Sequence, residues 1–107
     1  MESQLPLQVE EAVRSIDSAA KVILFGSRAR GEALEDSDWD FLILTSQEVT
    51  PALEDEFRTK LYELELEYEQ VISSVIENSQ HWENYLNSEF YKNVQKDGIE
   101  VETLKAA

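Results

Sequence analysis

Two short apolar runs, "KVILF" at Lys21–Phe25 and "DFLIL" at Asp40–Leu44, bracket fourteen residues crowded with charge and small side chains. Runs this short, this apolar and this rich in β-branched residues read as strands buried on both faces. Gly26 to Ser37 between them holds two glycines and mixed charge, and reads as a loop or a short helical turn. The rest of the chain must then supply elements that cover a small sheet.

The flanking segments do so by their periodicity. Leu5 to Ala19 carries Leu5, Val9, Val13 and Ile16 at helical spacing, with Pro6 tolerable in a first turn. Thr50-Pro51 offers a helix cap followed by proline at the first helical position, and Leu53, Phe57, Leu61 and Leu64 make a stripe that carries the helix to about Leu66. Glu69 to Ile76, "EQVISSVI", reads as a third strand. Ser88 caps a last helix running through Lys96, with Gly98 past its end, and Ile99 to Val101 adds an edge strand. The order α, β, β, α, β, α implies an α/β (α+β) fold with a small mixed sheet flanked by helices, in one domain over residues 1–107.

Charge narrows the ligands. Nine Lys and Arg against 23 Asp and Glu give a formal charge of −14, which opposes a sequence-independent grip on a phosphate backbone and suits a basic protein partner or simple solubility. Direct binding to nucleic acid is therefore not expected. With no cysteine, thiolate metal sites and disulfides are excluded and a reducing compartment is implied. The N-terminal "MESQLPLQVEEAV" lacks the pattern of an export signal, and no run reaches membrane-spanning length. A cytoplasmic location is the expectation, with no membrane partner.

The chemistry concentrates in the bracketed segment. Asp38 and Asp40 stand two apart at the start of a strand, so their carboxylates share a face if the strand begins at or before Asp38. Two carboxylates in apolar surroundings repel, and oxygen-only ligands favour a hard ion, Mg²⁺ or Mn²⁺. Mg²⁺ held by one or two carboxylates completes its shell with water and substrate phosphates, which points to a nucleoside triphosphate. Gly26 and Ser27, directly after the first strand, form a turn suited to an anion, and Arg28 and Arg30 follow with forks that match phosphate geometry. Trp39, between the aspartates, should face the opposite side of the strand, as a core residue or a partner contact. His81 reads as a surface or packing residue, while Trp82, Tyr85, Phe90 and Tyr91 should pack the last helix against the sheet.

Gly26-Ser27, ten residues, then Asp38-Trp39-Asp40, with small Ala29 and Gly31 between, resembles the signature of the nucleotidyltransferase superfamily related to DNA polymerase beta. The short chain resembles in particular the minimal nucleotidyltransferases, the antitoxin half of HEPN–nucleotidyltransferase pairs. The resemblance implies triphosphate binding at Ser27, two divalent ions on Asp38 and Asp40, and a third carboxylate on a later strand. It further implies transfer of AMP from ATP to a hydroxyl of a HEPN ribonuclease, with homo- or hetero-oligomers open.

The third carboxylate is where the chain departs from the pattern. The strand "YEQVISSVI" contains no Asp, and Glu69 at its beginning shares parity with Val71 and Ser73, so it could reach the metal as a third ligand. The alternative is that Glu69 ends the solvated helix of the "ELELEYE" stretch. In that case the domain is a catalytically weak or inactive module that neutralises its HEPN-type partner by binding. A small-molecule, antibiotic-type transferase is a further alternative.

Overall fold

The computed structural model describes residues 4–106. Helix α1 spans Leu5–Ile16, strand β1 Lys21–Phe25, the one-turn helix α2 Gly26–Arg30, β2 Trp39–Thr45, α3 Pro51–Tyr68, β3 Ile72–Asn78, α4 Glu89–Asp97 and β4 Ile99–Glu100. Two 3₁₀ turns, Trp82–Tyr85 and Val101–Ala106, complete the order. The sheet runs β3-β2-β1-β4, with β1 antiparallel to both β2 and β4, and β2 parallel to β3. This is the small mixed sheet flanked by helices that the element pattern implies.

The strands divide their side chains by the period of two. Val22 and Leu24 of β1, Trp39, Phe41 and Ile43 of β2 and Ile76 of β3 meet α1 and α3, which contribute Leu5, Val9, Val13, Leu53, Phe57 and Leu61. The opposite face presents Ile23, Leu42 and Leu44 to Val94 of α4 and Trp82, with Phe25, Val75, Phe90 and Tyr91 packed around them. Phe90 meets Phe25 edge-on at 5.1 Å between centroids and Trp82 at 5.6 Å, so an aromatic cluster seats α4 on the sheet. Trp39 lies in the first core, on the face opposite Asp40, and Asp38 falls just outside the strand.

Helix ends follow local chemistry. Thr50 Oγ1 accepts the Leu53 N–H at 3.1 Å, and Ser88 Oγ accepts the Tyr91 N–H at 3.1 Å, so both expected caps form. Gly98 follows α4, where a Cβ would stand 2.4 Å from the Val94 carbonyl oxygen and 2.9 Å from Ile23. The expected edge strand is shorter than Ile99–Val101, because Val101 turns into the first core and opens a 3₁₀ turn.

Two boundaries need correction. Helix α1 stops at Ile16 rather than Ala19, because Asp17 leaves helical geometry and turns its carboxylate onto the end of β2. The third strand begins at Ile72, not Glu69. Helix α3 continues two residues past Leu66 because Leu64 and Tyr68 extend the stripe that packs on the core, and Glu69 then ends the helix in the left-handed region at φ 53°.

Asp17 is buried yet well satisfied. Its carboxylate accepts from Thr45 Oγ1 at 2.7 Å, the Ser46 N–H at 2.7 Å, the Ala19 N–H at 3.0 Å and Ser46 Oγ at 3.0 Å. Burial alone would raise its pKa, but these donors outweigh it and hold the carboxyl below the ordinary value. A lowered acid contributes stability above the ordinary carboxylate pKa and loses it as pH falls through the folded-state value. Asp17→Asn, which turns an amide donor toward those donors, should therefore cost about 2–3 kcal/mol at neutral pH. Thermal denaturation should show that gap closing as pH falls below the carboxylate range; a gap independent of pH would contradict the assignment.

Candidate active site

The site is assembled where β1 ends and β2 begins. In the antiparallel pair Phe25 stands opposite Asp40, so the chain leaving β1 passes directly over the Asp40 carboxylate. Gly26 makes that crossing with φ +76°, and a Cβ on it would lie 2.4 Å from Asp40 Oδ2. No other residue meets both demands, a left-handed backbone and no side chain. Ser27 follows in α2, and Gly31 at φ +73° closes the turn by donating its N–H to the Ser27 carbonyl.

Asp38 immediately precedes β2 and is exposed, while Asp40 is half-buried on the face shared with Leu42 and Leu44. Burial raises the Asp40 pKa above the ordinary carboxylate value, the charge of Asp38 raises it further, and Arg30 opposes both. Arg30 is exposed and donates Nε–H to Glu32 at 2.7 Å. That bond chiefly raises its pKa, with smaller help from Asp97 and Asp40, so its charge stays at the rim of the site.

Arg28 is placed differently from the expectation of a free phosphate fork. Its Nη2 donates to the carbonyls of Ser37 at 2.8 Å and Glu35 at 3.1 Å, and its guanidinium carbon lies 4.4 Å from the centre of the Trp39 ring. Gln70 joins them, its Oε1 accepting from Trp39 Nε1 at 3.2 Å and standing 3.4 Å from Arg28 Nη2.

Glu69 does not join the aspartates. It caps α3, exposed and outside the sheet, because the helix claims the residues expected to open the strand. On β3 the residue registered with Asp40 is Ser73, exposed and on the same face. The strand's one acid, Glu77, registers with Leu44, four residues and roughly 13 Å farther along. Among the described residues no three His, Asp or Glu side chains gather to hold an ion. Sequence reasoning missed Ser73 because its place beside Asp40 follows from the parallel register, which depends on where α3 ends. A hollow of about 540 Å³ lies at the opposite end of β2 and β3, lined by Ser46, Glu77, His81 and Tyr85 among others but by none of Gly26, Ser27, Asp38, Asp40 or Ser73.

The sequence matches the nucleotidyltransferase domain family over residues 7–104, nearly the whole described chain. The chain belongs to the nucleotidyltransferase family. A relative from Methanocaldococcus jannaschii that carries the provisional name protein adenylyltransferase is 36% identical over 78 residues, 73% of each chain. Among solved structures, a toxin–antitoxin crystallised with AMP-PNP shares the fold with a TM-score of 0.63 at 17% identity, covering 90% of this chain and 71% of that one. No described helix of this nucleotidyltransferase is long and apolar enough to cross a membrane.

The raised pKa of Asp40 has a sign worth testing. An acid whose pKa is raised by folding stabilises the fold when protonated, so the ligand-free protein gains stability as pH falls through that raised value toward the ordinary one. Asp40→Asn removes the charge without changing the shape that fits beneath Gly26. Its melting temperature at pH 7 should exceed that of the wild type by a few degrees, with the gap closing toward pH 4. A lower melting temperature at pH 7 would contradict this.

Proposed function

We propose that this nucleotidyltransferase moves AMP from ATP onto a hydroxyl of a protein partner, a HEPN-type ribonuclease, and so acts as the antitoxin of a pair. The observation that carries the reading is the crossing of Gly26 over Asp40, which sets an exposed backbone turn, a serine hydroxyl and two carboxylates at one strand end. The name of the Methanocaldococcus relative supports a protein acceptor. The toxin–antitoxin neighbour is in keeping with a paired partner, and a charge of −14 favours a basic protein over RNA.

In this reading the Gly26–Ser27 turn lets the triphosphate approach the backbone, and Ser27 donates its hydroxyl to a phosphate oxygen. Arg30 adds positive charge at the rim. Asp38 and Asp40 present a purely oxygen donor pair, and the burial and mutual repulsion that raise the Asp40 pKa are relieved by a divalent cation, so the residues fit Mg²⁺ or Mn²⁺. When bound there, such an ion supplies charge neutralisation at the phosphates. The acceptor oxygen forms its bond to the α-phosphorus as the bond to pyrophosphate breaks, and the hydroxyl proton is released.

Ser73 beside Asp40 supports a second reading. With two carboxylates instead of the three that the resemblance implies, the site holds a second ion less well, which favours a slow or inactive module that neutralises its partner by binding. Intact-mass measurement of a HEPN-type ribonuclease from the same genome, after incubation with this protein, ATP and Mg²⁺, separates the two. Addition of AMP that disappears with Asp38→Ala/Asp40→Ala is expected. An unmodified partner in a stable complex with both versions would overturn transfer and leave binding.

A further inference from the structure

The segment that ends in Asp38 carries no regular structure, yet one of the two carboxylates of the proposed site stands on it. Arg28 is what fastens this segment. It belongs to α2, one residue after Ser27, and its guanidinium reaches the carbonyls of Glu35 and Ser37 while lying against the ring of Trp39, the residue between the two aspartates. Gln70, from the turn after α3, closes the assembly by accepting from the indole N–H, with Arg28 at longer range on the same oxygen. The Trp39 N–H in turn donates to the Val71 carbonyl at 2.9 Å.

Three separate pieces of chain therefore meet on one guanidinium: the phosphate-side turn, the Asp38 loop and the turn between α3 and β3. We propose that Arg28 is a positioning residue for nucleotidyl transfer, locking the Gly26–Ser27 turn and the Asp38–Asp40 pair into one preorganised unit, with Gln70 as the opposing jaw. This inference rests on the reading of Asp38 and Asp40 as ion ligands, and not on the identity of the acceptor.

The chemistry of the contacts explains why arginine is required. Stacking on an indole and donating sideways to carbonyls need a planar group. Lysine keeps the charge but can do only one of the two. The Arg28 Nε–H is buried with no acceptor among the described residues, so the hold depends on the stack and on Nη2. Ligands set by a supporting group lose affinity for their ion when that group is removed, typically by ten- to a hundred-fold.

Tb³⁺ serves as the probe, since Trp39 is the residue between Asp38 and Asp40 and its excitation can sensitise the luminescence of an ion held by them. Wild type should bind Tb³⁺ with a signal lost in Asp38→Ala/Asp40→Ala; retention there would defeat the site reading itself, and this inference with it. Arg28→Lys should weaken Tb³⁺ about ten-fold at a temperature well below its melting point. Gln70→Ala should weaken it in the same direction, and the double variant by less than the product of the two. Should Arg28→Lys fail to fold, Gln70→Ala alone decides. Unchanged Tb³⁺ affinity with weakened binding of an ATP analogue would make Arg28 a direct phosphate ligand and overturn the proposal. Unchanged affinity for both would overturn it equally.

Discussion

The Asp40 carboxylate and the backbone of Gly26 press into the same small volume, and the rest of the site is arranged around that contact. It exists because β1 and β2 pair in the register that sets Phe25 against Asp40, and because the chain can leave β1 in a left-handed turn only where no side chain intervenes. The contact sets the Gly26–Ser27 turn beside the half-buried Asp40. A conformation strained for any other residue is thus held by the packed sheet beneath, as functional backbone geometry usually is.

The two ends of β2 show how one strand serves stability and function separately. At its far end Thr45 and Ser46 satisfy the buried Asp17, a carboxylate held by four neighbouring donors. At its near end Asp40 is left with a like charge beside it and burial against it. The first carboxylate ties α1 to the sheet; the second has no donor of its own among the described residues to offset its burial and its like-charged neighbour. Between them Phe41 and Ile43 anchor one core and Leu42 and Leu44 the other, so the strand that carries the site is also the most deeply buried in the fold.

Much of this was legible in the residues. The apolar runs announced β1 and β2, Thr50-Pro51 and Ser88 marked their helices, and Gly26-Ser27 with Asp38-Trp39-Asp40 announced the family. What eluded sequence reasoning depended on tertiary packing. The end of α3 is set by Leu64 and Tyr68 finding the core, and with it the strand register that puts Ser73, not Glu69, beside Asp40. Arg28 looked like a phosphate ligand because local spacing cannot reveal that Gln70, 42 residues away, meets it. Asp17 drew no notice at all, since its partners lie across the sheet.

Calorimetric titration of wild type and Gly26→Ala with Mn²⁺ and a non-hydrolysable ATP analogue tests the central contact most directly. A methyl group at residue 26 must either push the Asp40 carboxylate aside or reshape the turn, so the variant should fold, with a cost of about 1–2 kcal/mol for a strained left-handed backbone, and lose at least a hundred-fold in affinity. Binding within three-fold of the wild type would show that the nucleotide and its ion sit elsewhere.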